Sequence, residues 1–270
     1  MSVTTTKVRS RDGTIIAMDR IGTGPSVVLV DPAFGHRKGN PQFAGLATAL
    51  APDFAVFTYD RRGRGESTDT PPFAVEREIE DLEAVIAEAG GTACVFGHSS
   101  GAIIALKAAA RGASIDKVGA YEPPFIIDNS RPPLPADYFE HLRDLITSGK
   151  RREGVEYFMI EAVGVPKEMI LRMRDAPVWP GLERLAPTLL YDNTICVPYQ
   201  TGKPLDPREW SSIKAPVLAI TGGASPAWIQ NSAAALARLV PSGRFVTLVG
   251  QTHEVNPAAT APALKEFFLG

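Results

Sequence analysis

The chain has 270 residues, a formal net charge of −2 and 44% hydrophobic residues. The near-neutral charge excludes the basic footprint of a nucleic-acid-binding protein, and the hydrophobic content suffices for a sizeable core. No apolar run approaches the roughly 18 residues that a membrane span needs. The first ten residues lack the apolar stretch of a signal peptide. The length allows one large α/β domain or two small domains.

The two cysteines and four histidines show no metal-ligand spacing. Cys94 falls in an apolar strand-like run, where a buried thiol is expected, and Cys196 lies far along the chain, so a disulfide is not expected. We expect a soluble cytoplasmic protein with no metal, no cofactor and no nucleic-acid or membrane partner. The sequence leaves a homodimer open.

Strand-like and helix-like runs alternate along the chain. Short apolar runs predict strands at 14–20, 26–30, 54–59, 93–96, 118–121, 216–220 and 245–249. Longer runs predict helices at 41–50, 75–89, 102–110, 227–239 and 262–268. Strands that alternate with helices imply a mostly parallel sheet covered on both faces.

A long insertion, approximately 123–210, interrupts this alternation. It begins with several prolines and then becomes helical and aromatic. We interpret it as a lid of helices over the sheet edge, within one domain that spans 1–270. Most of its aromatic side chains are expected to pack the lid onto the body.

The most informative motif is the Gly-x-Ser-x-Gly pentapeptide at 97–101, which follows a strand-like run and precedes a helix-like run. Its glycines allow a sharp strand-to-helix turn that exposes Ser99 at the sheet edge. The N-terminus of the following helix favours negative charge beside that hydroxyl. The pentapeptide alone is a weak signal, and its strand-then-helix setting makes Ser99 a candidate nucleophile.

A nucleophilic serine needs a base, and His253 is the candidate because it lies between the last predicted strand and the last predicted helix. His98 adjoins the serine, but its side chain is expected to point away from it, into the sheet. His36 could line a pocket, and His141 is expected on the lid surface.

These features resemble the α/β-hydrolase superfamily over nearly the whole chain. The resemblance is carried by the pentapeptide, the loop at 60–67 (Asp-Arg-Arg-Gly-Arg-Gly-Glu-Ser), the His253 loop and the inserted lid. It implies an α/β-hydrolase fold and a triad in the order nucleophile, acid, histidine.

The family's usual acid position follows the strand at 216–220, where this chain has no carboxylate. Ser225-Pro226 there is typical of a helix N-cap followed by proline at the first helical position. Glu122 is the predicted acid instead. It follows the predicted strand at 118–121, which comes after the predicted helix at 102–110. This position of the acid is similar to that in certain haloalkane dehalogenases and zearalenone-hydrolysing lactonases. A structural role for Glu122 as a loop cap stays open, and the rival acids are Asp31, Asp128 and Asp192.

The oxyanion hole should consist of two backbone N–H groups. Ser100 follows the nucleophile and supplies one. Pro32 cannot donate, so Ala33 is the preferred second donor, with Phe34 as the alternative. Asp31 is expected to brace the loop at 60–67, whose Arg61, Arg62 and Arg64 are interpreted as a structural turn held by Asp60 and Glu66 rather than as an anion site. Arg37 and Lys38 are expected to be solvated.

The sequence therefore predicts a serine hydrolase that cleaves a carboxylic ester or lactone of a small to medium apolar molecule. Its substrate-binding surface is assigned to aromatic side chains: Phe34, Phe125, Tyr138, Phe158 and Trp179. Cleavage of a C–C or thioester bond, or a cyclisation, could use the same triad. A non-catalytic binding protein on this fold is the alternative of another class.

Overall fold

A computed structural model describes residues 2–270, and its centre is one eight-stranded sheet. The strand order is β1-β2-β4-β3-β5-β6-β7-β8. β1 pairs antiparallel with β2, and β2 with β4, while all other pairs are parallel. The strands are β1 Val3–Arg9, β2 Ile15–Ile21, β3 Ser26–Val30, β4 Ala55–Tyr59, β5 Ala93–His98, β6 Ile115–Tyr121, β7 Val217–Gly222 and β8 Gly243–Leu248.

Helices cover both faces of the sheet. The body helices are α1 Pro41–Leu50, α2 Val75–Glu88, α3 Ser100–Ala110, α10 Ala227–Leu239 and α11 Pro257–Leu269. One hydrophobic cluster joins the sheet to α2, α3 and α10, and a second joins it to α1 and α11. The central strands are buried on both faces, which explains why their sequences are nearly continuous apolar runs.

Helices also fill the segment between β6 and β7. They are α4 Tyr138–Thr147, α5 Arg151–Tyr157, α6 Lys167–Met173, α7 Trp179–Leu185, α8 Leu189–Cys196 and α9 Pro207–Trp210, with a π-helical turn at Phe158–Val163. Most of these helices pack around a third hydrophobic cluster of their own. We call this segment, 123–210, the helical insertion.

The predicted architecture is confirmed, with two differences at the ends of the chain. β1 was not predicted, because this edge strand is exposed along most of its length and lacks an apolar pattern. The closing helix begins at Pro257 rather than Pro262, because the Asn256 side chain accepts a hydrogen bond from the Ala258 N–H and caps it there. No helix among the described residues is long and apolar enough to cross a membrane.

The fold brings the predicted site residues to one edge of the sheet. In the parallel part of the sheet, β3, β5, β6 and β7 lie side by side, so their carboxyl ends meet at the same edge. The segments that follow them are the Asp31–His36 loop, Ser99, Glu122 and the Gly223–Pro226 turn. In open α/β sheets this edge is where ligands bind.

Candidate active site

Ser99 lies in a sharp turn between β5 and α3, with φ 55° and ψ −121°. A side chain at Gly97 would approach the Gly101 carbonyl oxygen to 2.3 Å, and one at Gly101 would approach the Val30 carbonyl oxygen to 2.3 Å. The two glycines therefore let α3 start directly against β5 and β3. The surrounding packing holds Ser99 in a conformation that few residues other than glycine adopt.

His253 lies in the loop between β8 and α11, and neighbouring elements hold this loop in place. The Tyr121 hydroxyl donates to the Thr252 carbonyl oxygen at 2.6 Å, and the Val255 N–H donates to the Gln42 side-chain oxygen at 3.0 Å. A side chain at Gly222 would approach the Gln251 carbonyl oxygen to 2.3 Å, so only glycine fits beneath the loop.

Glu122 contacts His253 directly. Its Oε2 lies 2.7 Å from the His253 Nδ1, and its Oε1 accepts hydrogen bonds from the Thr221 hydroxyl at 2.9 Å and the Gly222 N–H at 2.7 Å. The carboxylate is fully buried. The end of β7, where the family's usual acid would follow, thus supplies donors to a carboxylate that comes from β6.

These contacts keep Glu122 ionised and select the tautomer of His253. Burial alone would raise the pKa of Glu122, but the hydrogen bond from His253 and that group's charge outweigh it and lower the pKa. An ionised carboxylate can only accept, so Nδ1 of a neutral His253 carries the proton. The lone pair on Nε2 is then free to take a proton from another group.

The turn after β7 differs from the sequence prediction. Ser225 was expected to cap the following helix, with Pro226 as its first residue. In the structure α10 begins at Ala227, Pro226 occupies the cap position, and no side chain caps the helix. The Ser225 hydroxyl is buried instead of bound to the helix N-terminus.

The rival acids all have other partners. Asp31 accepts from the Asn40 side-chain amide at 2.6 Å, and Asp128 accepts from the Asn231 amide at 2.8 Å. Asp192 is fully buried and accepts from Arg61, Arg64 and the Ser100 hydroxyl. None of these three carboxylates contacts His253.

The arginines of the 60–67 loop are structural, but their partners are not the predicted ones. All three are buried. Arg61 pairs with Glu78 and Asp192, Arg62 pairs with Asp12 and Asp81, and Arg64 pairs with Asp192.

Asp60 and Glu66 instead bind Arg37, which also pairs with Asp19. Arg37 was expected to be solvated, yet its side chain is only 1% exposed, whereas Lys38 is exposed as expected. Buried charges of this kind need such partners to offset their lost hydration. The Asp31 carboxylate does not bind the loop at 60–67. Asp31 contacts this loop through its backbone oxygen, which accepts a hydrogen bond from Arg61.

The backbone donors predicted for the oxyanion hole are free. Among residues 2–270, the N–H groups of Ala33 and Ser100 donate to no protein acceptor. Both residues line the cavity that also contains Ser99 and His253. Phe34, the alternative donor, has a positive φ of 61° in a turn closed by the Gly35 N–H on the Pro32 carbonyl.

That cavity, of about 180 Å³, lies between the sheet edge and the helical insertion. Of the five aromatic residues assigned to substrate binding, Phe158 lines it. Phe34 does not line the cavity, contrary to its assignment, and packs edge-on behind Phe158 at 5.6 Å between ring centroids. The remaining lining residues are mostly small or apolar: Ala33, Pro124, Ala162, Val163, Cys196, Pro226, Trp228 and Ile229.

The assignment of the other three aromatics is wrong. Phe125 is fully buried against Trp210 and Tyr199 in the body core, and Trp179 is buried inside the helical insertion. Tyr138 is also buried there, where its hydroxyl donates to Asn193 at 2.9 Å. Their side chains fill hydrophobic cores, so they do not line the cavity.

Two polar residues of the cavity wall were not predicted from the sequence. Asn193 and Gln200 both line the cavity and are nearly fully buried. The Gln200 side-chain oxygen has no hydrogen-bond partner in the described part of the chain. No sequence signal marks these residues, because a lone amide in a helical segment is ordinarily a solvated side chain.

The remaining histidines do not contact the serine. His98 is buried, and its ring packs against Phe43 of α1, Tyr121 and His253, the last at 4.6 Å from centroid to centroid. Burial and the nearby charge of His253 hold the pKa of His98 well below its usual value, so it is neutral. His36 does not line the cavity, and His141 is exposed on α4 against Tyr157.

Comparison with known protein families assigns the chain to a family. The model of the Alpha/beta hydrolase family matches residues 27–263, which include Ser99, Glu122 and His253. The chain belongs to the Alpha/beta hydrolase family. A crystal structure of an alpha/beta hydrolase from Sphaerobacter thermophilus DSM 20745 is 51% identical, has a TM-score of 0.90, and aligns over 97% of this chain and 100% of that one.

Two further proteins are less similar to this chain. An uncharacterized hydrolase, YraK, from Bacillus subtilis (strain 168) is 36% identical over 89 residues, and the alignment spans 32% of each chain. The enol-lactonase from Burkholderia xenovorans LB400 is 22% identical, with a TM-score of 0.70, over 98% of this chain and 100% of that one. The last similarity shows the fold alone, while the family as a whole supports hydrolase activity.

Proposed function

We propose that the protein is a serine hydrolase that cleaves a carboxylic ester or lactone of a small to medium apolar molecule. The observation that carries the proposal is the 2.7 Å contact between Glu122 and His253 beside the cavity that Ser99 lines. A buried, ionised carboxylate on one imidazole nitrogen leaves the other nitrogen available as a base. The mostly apolar cavity wall favours an apolar acyl or alcohol group.

In this mechanism the Ser99 oxygen attacks the substrate carbonyl carbon while Nε2 of His253 takes the hydroxyl proton. The carbonyl π electrons move onto oxygen, and the Ala33 and Ser100 N–H groups stabilise that oxyanion. The intermediate collapses, the C–O bond to the alcohol breaks, and His253 returns the proton to the leaving oxygen. A water molecule then repeats these steps on the acyl-serine. Glu122 holds the imidazole in place and stabilises its cationic form.

The helical insertion acts as a lid in this proposal. Phe158, Ala162 and Val163 from its π-helical turn form part of the cavity wall, and Val163 is 42% exposed at the surface. An apolar wall above the serine excludes water from the oxyanion and strengthens its hydrogen bonds.

The experiment is a screen of p-nitrophenyl esters, thioesters and lactones with the wild type and Ser99→Ala side by side. We expect turnover of esters or lactones by the wild type and a loss of several orders of magnitude in Ser99→Ala, because the nucleophile is absent. Turnover that survives in Ser99→Ala would refute covalent catalysis by this serine.

Labelling with a fluorophosphonate separates the enzyme from a binding protein of the same fold. An activated Ser99 should be labelled stoichiometrically, and Ser99→Ala should not be labelled at all. A passive binding protein needs no activated serine, so an unlabelled but folded wild type would support that alternative.

A further inference from the structure

The buried Arg64 donates to backbone carbonyls of the Asp31–His36 loop, which carries Ala33 and is called the oxyanion loop below. Its Nη1 donates to the Pro32 carbonyl oxygen at 2.6 Å and to the Gly35 carbonyl oxygen at 3.3 Å. Its Nη2 donates to Asp192 Oδ2 at 2.6 Å. The planar guanidinium thus joins the loop after β3 to helix α8 of the helical insertion, and it is 1% exposed.

The Pro32 carbonyl and the Ala33 N–H belong to one peptide group. In a planar trans peptide they point in opposite directions, so a carbonyl fixed on Arg64 directs the N–H to the other side. Ala33 lines the cavity with Ser99, and its N–H has no acceptor among residues 2–270. A cationic donor on the carbonyl also polarises the peptide and strengthens its N–H as a donor.

We infer that Arg64 is a positioning residue of the oxyanion hole, which orients and polarises the Pro32–Ala33 peptide for the transition state. The inference rests on the proposed serine hydrolase function. Arg64 does not touch the substrate in this account, and it acts through the Ala33 N–H.

Asp192, which binds Arg64, also binds Ser100, the residue of the second oxyanion donor. Its Oδ1 accepts from the Ser100 hydroxyl at 2.7 Å, and the Ser100 N–H is the other oxyanion donor. The Asp192 carboxylate therefore binds Arg64, which holds the Pro32–Ala33 peptide, and it also binds the side chain of Ser100 directly. The insertion thereby helps to set the distance between the two N–H groups.

Arg62 provides a matched control in the same loop. It is equally buried and binds Asp81 and Asp12, but it contacts no atom of the oxyanion loop. Lysine keeps the positive charge at either position but lacks the fork that reaches two or three acceptors at once. Arg64→Lys and Arg62→Lys should therefore share any general loss of stability and differ only at the oxyanion hole.

The kinetic test compares an ester with its thiono analogue, in which C=S replaces C=O. Removal of one oxyanion donor costs about 10²–10³ in kcat in a serine protease, so weakening one donor should cost on the order of 10-fold. We expect Arg64→Lys to lower kcat on the ester by about that factor, with little change in KM. The thiono substrate should lose less, because sulfur is the weaker hydrogen-bond acceptor, and Arg62→Lys should change neither rate.

The structural test needs no catalysis and uses the amide ¹H–¹⁵N signal of Ala33. We expect this signal to move in Arg64→Lys and to stay in place in Arg62→Lys, because of these two arginines only Arg64 donates to the Pro32 carbonyl, beside the Gly35 N–H. Equal effects of the two variants on the signal and on the ester-to-thionoester ratio would overturn the inference. Failure of the proposed function would appear separately, as a wild type that neither turns over esters nor reacts at Ser99.

Discussion

Ser99 and Glu122 both have a positive φ, 55° and 45°, which side chains other than glycine rarely adopt. Each sits at the carboxyl end of a central strand and carries a proposed catalytic group. Backbone conformations of this kind cost on the order of 1–3 kcal/mol each and persist only when surrounding contacts enforce them. The conformations that present the hydroxyl and the carboxylate therefore lower the stability of the folded protein.

This strain predicts a difference in stability between two variants that lack the Ser99 hydroxyl. Glycine adopts the φ and ψ of this turn freely, whereas alanine retains the β-carbon and its clash. We expect Ser99→Gly to have a free energy of unfolding about 1 kcal/mol higher than Ser99→Ala, measured by urea denaturation. An alanine variant equal to or more stable than the glycine variant would show that the turn is not strained.

The residues of the proposed triad could be predicted from sequence because each follows a recognisable strand. Glu122 was singled out because the loop after β7 has no carboxylate, and the structure shows what that loop does instead. The Thr221 hydroxyl and the Gly222 N–H bind Glu122. Aromatic residues gave no such guidance, because Phe125 in the core and Phe158 in the cavity have the same side chain.

Among the secondary-structure elements, α3 approaches the neighbouring strands so closely that no side chain fits at the contact. Gly97 and Gly101 flank the turn, and a β-carbon on either would lie within 2.3 Å of a backbone oxygen. The contact is backbone against backbone, so no rotamer change can relieve it. The position of α3, and with it that of the Ser100 N–H, depends on these glycines.

This close approach predicts opposite effects for two glycine-to-alanine changes. Gly101→Ala should destabilise the protein by about 1–3 kcal/mol or more, because α3 must move away from β3. Gly181→Ala, within α7, should be neutral or stabilising by up to about 1 kcal/mol, because its β-carbon meets no backbone atom and alanine favours the helix. Thermal unfolding of both variants measures this, and similar melting temperatures would contradict the account.

The predicted strands of the sheet and the predicted body helices agree with the structure, because their apolar runs are bounded by glycine, proline or polar residues. The partners of the loop arginines could not be predicted in the same way. Arg61 and Asp192 are 131 residues apart, and nothing local in the sequence marks the pair. Sequence neighbours such as Asp60 and Glu66 were the natural expectation, yet both bind Arg37 instead.

At the scale of the whole molecule, buried ionisable groups link stability to pH. Burial raises the pKa of Asp31 to about 7, despite its hydrogen bond from Asn40 and the nearby Arg64 and Arg61. Between about pH 4 and pH 7 the native protein therefore retains a proton that the unfolded chain has released. The free energy of unfolding contributed by Asp31 is fully present below pH 4 and is lost as the pH rises through 7.

Asp31→Asn should remove this dependence, because the amide stays neutral at every pH. Relative to wild type, the variant's free energy of unfolding should rise by on the order of 2–3 kcal/mol between pH 5 and pH 9. Urea denaturation of both proteins at pH 5, 7 and 9 measures the difference. Parallel pH curves for the two proteins would show that Asp31 ionises in the native state as it does in the unfolded chain.

Glu122, displaced to the end of β6, is the proposed acid for His253. The direct measurement is kcat on the best ester substrate for wild type and Glu122→Gln, with Asp128→Asn as the control. Asp128 lies in the rival region but contacts only Ser130 and Asn231. A glutamine cannot stabilise the imidazolium, so kcat should fall by roughly 10²–10⁴ with an unchanged KM, while the control stays within about twofold. A Glu122→Gln variant that keeps more than a tenth of the wild-type kcat, with chemistry rate-limiting, would rule out Glu122 as that acid.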